Sequence, residues 1–195
     1  MARAVLTWSA RQTSLSFGAV DIPGTEGFYF GESGWWWEEE PSATSVLAQG
    51  TDTLDGQGRA AIRFPLGEAF KGRPSRATLE ASVTDVNRQS VGAQTSVIVH
   101  PASFYVGAKP LGESYFWTAK QPQAVALIAV RPDGRRVENV KVKGTIVRRE
   151  WHRVHRTRGG YSEVYGEWVS DTVARCSVET AKEPVNCRFT PPAGG

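Results

Sequence analysis

Two cysteines and three histidines are all that this 195-residue chain has of the residue types from which disulfide frameworks and metal centres are most often built. A scaffold stapled by several bridges and a cysteine-rich zinc module are excluded by that count. Apolar runs are short as well. The longest, residues 124–130 (AVALIAV), has the length of a buried strand and falls far below the roughly 18 residues of a membrane-crossing helix. Nowhere do apolar residues keep a 3.6-residue period through three turns, which argues against amphipathic helices. There is no P-loop, no Gly-x-Ser-x-Gly and no dinucleotide fingerprint, and the Gly-x-x-Gly at Gly24 and Gly27 has neither a helix nor a Gly-rich loop around it. The N-terminus lacks a secretory pattern, since Met1-Ala2-Arg3 leads straight into the strand-like Ala4-Val5-Leu6-Thr7-Trp8.

What is present is a chain with 40% hydrophobic and 22% charged residues, enough for one large domain or two ordinary ones with a real core. Strand-length segments alternate with turn signals throughout, so the fold class is all-β. Asp55-Gly56-Gln57-Gly58 and Pro132-Asp133-Gly134 mark turns, because glycine supplies the positive φ that tight turns require. Residues 137–147 place Val140, Val142, Gly144 and Ile146 on one face and Lys141, Lys143 and Thr145 on the other, the pattern of a half-buried strand.

Residues 79–107 (LEASVTDVNRQSVGAQTSVIVHPASFYVG) hold two strands, their turn and a domain junction in one reading frame. Leu79, Ala81 and Val83 alternate with Glu80, Ser82 and Thr84. Asp85 to Gln89 turns the chain, residues 94–100 form a β-branched second strand, and Pro101 ends its ladder by lacking an N–H. A new strand is expected from Ser103. A faint internal repeat relates residues 5–65 to residues 140–191: a strand ending in tryptophan, an aromatic-rich hairpin, a turn, and a strand ending in Phe-Pro or Phe-Thr-Pro. These features divide the chain into domains at 1–102 and 103–195. Only the second copy has strands before it and only the first has strands after it, so opening strands of domain one and closing strands of domain two are expected to be missing. Edges left unpaired in that way would favour self-association by strand exchange.

The wording of residues 79–107, of residues 16–31 and of the tail Cys187-Arg188-Phe189-Thr190-Pro191-Pro192-Ala193-Gly194-Gly195 resembles the bacterial alpha-2-macroglobulin family. The resemblance covers nearly the whole chain and rests on many positions rather than on one motif. It implies two consecutive macroglobulin-like domains, each a fibronectin- or immunoglobulin-like antiparallel β-sandwich upstream of the bait region. The implied role is a non-catalytic structural segment of a protease-trapping inhibitor, with neighbouring macroglobulin-like domains of the parent as partners and target proteases met through the full-length protein. It also implies a periplasmic parent, anchored as a lipoprotein at the inner membrane and often linked to a penicillin-binding protein.

Cys176 and Cys187 lie on segments that read as neighbouring strands joined by residues 180–184, so an intradomain disulfide is expected; two reduced, unrelated thiols are the alternative. In the family a thioester joins a cysteine to a glutamine three residues later in Cys-x-Glu-Gln. Cys176-Ser177-Val178-Glu179 ends in a carboxylate where a carboxamide is needed, and Cys187-Arg188-Phe189-Thr190 fails likewise, so neither can form the trap.

Trp35-Trp36-Trp37-Glu38-Glu39-Glu40 could be a sugar platform beside an acid–base pair, but adjacent strand residues point to opposite faces, and a core-and-interface hairpin followed by a solvated acidic loop accounts for it. A Trp-rich carbohydrate-binding or adhesin module stays open as the second reading. A β-sandwich glycosidase is a third reading and would need two carboxylates facing each other across a cleft. Residues 148–158 (RREWHRVHRTR) mix basic and aromatic side chains as nucleic-acid surfaces do. They contain one ring only, alternation splits their charges, and Gly159-Gly160 reads as a hairpin tip, so a solvated edge hairpin is expected and no nucleic acid. Residues 1–102 carry 8 basic and 11 acidic side chains (−3) and residues 103–195 carry 15 and 9 (+6), a contrast that also suits docking within a larger protein. His152 and His155 lack partners at ligand spacing. No catalytic residue, cofactor or metal is assigned, and the chain is not expected to be an enzyme.

Overall fold

The computed structural model describes residues 4–31, 43–66, 72–85, 87–112, 117–158 and 161–193, with the side chains of 155–158 and 161–163 outside that description. In chain order the strands are β1 (Val5–Ser14), β2 (Tyr29–Phe30), β3 (Thr44–Thr53), β4 (Ser75–Thr84), β5 (Ser90–Val99), β6 (Tyr105–Leu111), β7 (Gln123–Val130), β8 (Lys141–Arg158), β9 (Tyr161–Glu179) and β10 (Val185–Phe189); one turn of 3-10 helix spans Phe17–Ala19. The fold is all-β. β1 pairs with β3 and β4, β4 with β5, β6 with β7, β7 with β10 and β8 with β9, each pair antiparallel. Two compact units share the chain: Met1–Ile22 with Phe30–Ser103, and Pro23–Tyr29 with Phe104–Gly195. The sequence pattern keeps residues 23–29 with the first half, whereas the units place them with the second.

In the first unit the sheet order is β3-β1-β4-β5. Leu6, Ala10, Gln12 and Ser14 of β1 point to one face together with Ala77 and Ser75 of β4, all of them buried. This core is partly polar and must satisfy its own hydrogen bonds. The Gln12 amide donates to Ser75 Oγ (2.7 Å), and Ser14 Oγ accepts from the Ala43 N–H (2.9 Å). Trp8 lies over Gly50, its register partner on β3, where a Cβ would come within 2.9 Å of the indole. β5 begins at Ser90, four residues earlier than the β-branched run suggests, because its first half is small and polar and only the ladder to β4 reveals it. The turn feeding it is closed by Asp85, whose Oδ1 accepts the N–H groups of Asn87 (2.8 Å) and Gln89 (2.9 Å). Asp55 closes the 55–59 turn in the same way, but no strand follows within 59–66, where the internal repeat leads one to expect it.

The second unit has two layers. One is the sheet β10-β7-β6-β2, with β7 central; Leu127, Ile128, Ala129 and Val130 are consecutively buried, which a strand shows only when both faces are covered. The other is the two-stranded ribbon β8-β9. Tyr105, Cys187 and Phe189 complete the core, and Trp117 packs edge-on against Phe189 with ring centroids 5.0 Å apart. Buried Thr180 fixes the entry to the ribbon: its hydroxyl donates to the Val137 carbonyl (2.7 Å) and accepts from the Val140 N–H (3.1 Å).

Candidate interaction surface on the long ribbon

Cys176 on β9 is bonded to Cys187 on β10, with Cα atoms 5.9 Å apart. Their placement differs from the sequence expectation in one respect. β9 and β10 are not hydrogen-bonded neighbours of a hairpin: β9 belongs to the ribbon and β10 to the four-stranded sheet. The bridge therefore ties the two layers together, and residues 180–184 cross between layers instead of turning within one.

β8 and β9 stay paired from Lys141↔Glu179 to Arg158↔Tyr161, with one bulge between Ile146 and Val147. Up to the bulge, Val142, Gly144 and Ile146 with Ala174, Cys176 and Val178 form the half-buried face, and Lys141, Lys143, Thr145, Arg175, Ser177 and Glu179 the exposed one. Beyond it the two faces remain distinct in charge. On one, Arg148 pairs with Glu150 (3.5 Å) and Asp171 (3.4 Å), and His152 Nε2 lies 3.4 Å from Glu150. On the other, Trp151 stands opposite Trp168, flanked by Arg149 opposite Ser170 and Arg153 opposite Gly166. The two indoles meet edge-on with centroids 5.1 Å apart and remain about half exposed. Reading β8 alone misses this. The segment has one aromatic ring, and the second arrives by strand pairing from a stretch that looks ordinary by itself. The i to i+2 spacing of Arg149, Trp151 and Arg153, with Gly166-x-Trp168 on the return strand, is the signal that could have found it.

Trp35, Trp36, Trp37 and Glu38 to Glu40 lie outside the described residues, as do Gly159 and Gly160. Gly24 and Gly27 adopt φ of 70° and 78° in a turn held by the second unit's own cations. Arg136 Nη2 donates to the Gly24 carbonyl (2.9 Å), Lys109 Nζ donates to the Glu26 carbonyl (3.3 Å), and both cations sit about the Phe28 ring. That is an internal clamp in which the donors face carbonyls of the loop itself. Among the described residues no three His, Cys, Asp or Glu side chains gather as a metal site would need, and no helix is long and apolar enough to cross a membrane.

The fold has clear relatives. Crystalline Salmonella alpha-2-macroglobulin reacted with methylamine superposes with a TM-score of 0.55 over 98% of this chain at 16% identity, and the native conformation of the Escherichia coli protein with 0.52 over 97% at 14%. In sequence, an alpha-2-macroglobulin homologue from Nostoc sp. is 23% identical over 172 residues, 88% of this chain. The chain is similar to the bacterial alpha-2-macroglobulins. Its antiparallel, all-β architecture is that of the macroglobulin-like domains in those structures. It spans 9% of the length of the Nostoc relative and 12–13% of these two structures. No family model matches the sequence.

Proposed function

We propose that this chain is a non-catalytic structural segment of a bacterial alpha-2-macroglobulin-like protease trap, composed of macroglobulin-like domains at residues 1–102 and 103–195. The observation that carries this reading is the fold likeness along 98% of the chain, joined to a sequence relative of the same kind. Among the structural relatives is an Escherichia coli alpha-2-macroglobulin activated by porcine elastase, so proteases are the class of target for the parent. Neither cysteine of this chain is followed at the third position by glutamine, and both are consumed in the bridge between layers. The chain accordingly acts as frame, and the trapping chemistry belongs to other parts of a parent protein.

The same reading gives the parent a periplasmic location, a lipoprotein anchor at the inner membrane and a penicillin-binding protein as partner. Inhibition assays test the core of it. The isolated chain, at stoichiometric concentration, leaves porcine elastase and trypsin fully active on a small and on a protein substrate. A parent protein lacking this segment loses the ability to protect the protein substrate. Stoichiometric inhibition of both proteases by the isolated chain would refute the structural role.

A further inference from the structure

The six-membered ring of Trp151 rests on Gly166, where any Cβ would fall inside the indole. One side of the ring is thus backed by its own ribbon, and the residue is 54% exposed, which leaves the other side to solvent. Trp168 borders it edge-on. Arg149 and Arg153 occupy the rungs on either side, on the same face and exposed, and no carboxylate among the described residues pairs with either. Two residues of an antiparallel strand span roughly 7 Å, so the two guanidinium rungs stand roughly 14 Å apart with the ring between them. Ser170 and Thr172 add hydroxyls to this face. The opposite face balances its charges internally through Arg148, Glu150 and Asp171.

We propose that this face is a binding site for an acidic polysaccharide. A pyranose turns a flat patch of C–H bonds toward the negative face of an indole, and a backed, open ring is the surface such a patch needs. Guanidiniums accept the planar geometry of a carboxylate through paired N–H donors, and the hydroxyls of Ser170 and Thr172 can both donate to and accept from sugar hydroxyls. An aromatic anchor for a protein partner would project into a pocket of that partner, whereas Trp151 lies down on Gly166 and offers a plane. The Cys176–Cys187 bridge belongs to oxidising surroundings, where the polyanions at hand are glycans and not nucleic acids. The site is independent of the protease-trap reading and uses none of the residues Trp35 to Trp37.

Calorimetric titration of the intact chain with polygalacturonate tests it. Binding is expected, and the methyl-esterified polymer, which keeps the sugar and loses the charge, binds at least tenfold more weakly. Arg149→Gln with Arg153→Gln weakens polygalacturonate at least tenfold and flattens the salt dependence. Trp151→Ala also weakens binding at least tenfold, and so does Gly166→Ala, which keeps the indole but lifts it from its seat. The arginine pair is exposed, so its substitution decides the matter even if the two ring variants lose their fold by circular dichroism. The proposal is overturned by absence of binding, by equal binding of poly-L-glutamate, by tighter binding of single-stranded DNA, or by affinity unchanged in the arginine variant.

Discussion

Gly144 stands opposite Cys176 in the β8-β9 ladder, and a Cβ on residue 144 would lie 2.8 Å from the Cys176 sulfur and 3.8 Å from that of Cys187. The space a side chain would take is the space the bridge occupies. Gly144→Ala is therefore expected to destabilise the second unit by about 1–3 kcal/mol, the usual cost of overpacking. In a Cys176→Ala, Cys187→Ala background the sulfurs are gone and the penalty shrinks to a few tenths. Denaturant unfolding of the four species of this cycle checks it, and a penalty of equal size in both backgrounds would show that Gly144 serves the backbone instead.

Removing the bridge has its own cost. It closes a short loop and holds the ribbon to the four-stranded sheet, so the double alanine variant is expected to lose about 3 kcal/mol. Because the bond joins layers, the loss should emerge first as hydrogen exchange along Lys141–Arg158 and Tyr161–Glu179, with the β6-β7 pairing protected until global unfolding. Exchange that rises uniformly across both layers would contradict that order.

Much of this architecture was legible in local chemistry. The aspartate turns at 55, 85 and 133 announce themselves because a short carboxylate can accept N–H groups of its own tight turn: Asp55 and Asp85 each take two, and Asp133 takes that of Arg135. The all-apolar run of β7 identifies a central strand for an equally local reason. What was not legible is whatever depends on partners distant in sequence. β5 takes its register from β4 and not from its own polar first half. The crossing of the Cys176–Cys187 bond between layers depends on which sheet receives β10. The Trp151–Trp168 pair exists only once β8 and β9 are in register, and the bulge at Ile146/Val147 sets that register.

Thr180 illustrates a buried polar group that organises a strand entry. Its hydroxyl serves as donor to Val137 and acceptor from Val140, so Thr180→Val, nearly the same shape, leaves a carbonyl and an N–H without that partner. A loss of about 1–3 kcal/mol is expected, and Thr180→Ser should recover most of it. Denaturation midpoints of the two variants measure this. A Thr180→Ser protein as unstable as Thr180→Val would show that the hydroxyl by itself does not hold the strand entry.

β5 is an edge strand of ten residues with no charge, no proline and no bulge, and Val91 and Val97 stand 74% and 61% exposed. Such an edge is a template for another strand. The chain is accordingly expected to self-associate as concentration rises, and Val97→Lys, which puts a charge in the middle of the exposed face, to shift it back toward monomer. Light scattering across a dilution series reads the outcome. Association that survives Val97→Lys unchanged would locate the contact elsewhere.

Burial pushes the Tyr105 phenol above the ordinary 10.0, since the phenolate would have to form inside the second unit beside β7. The unfolded chain gives up that proton near 10.0 and the folded chain only at higher pH, so between the two values the folded state holds more protons than the unfolded one. Stability therefore carries the full contribution below about 10 and falls as pH rises through the folded value. The Tyr105 phenolate should therefore appear only at pH above the ordinary 10.0 while the second unit stays folded. Tyr105→Phe removes the titrating group and keeps the ring, so the decline at high pH should flatten in that variant. A Tyr105→Phe protein that loses stability above pH 10 as steeply as the parent would assign the alkaline transition to other groups.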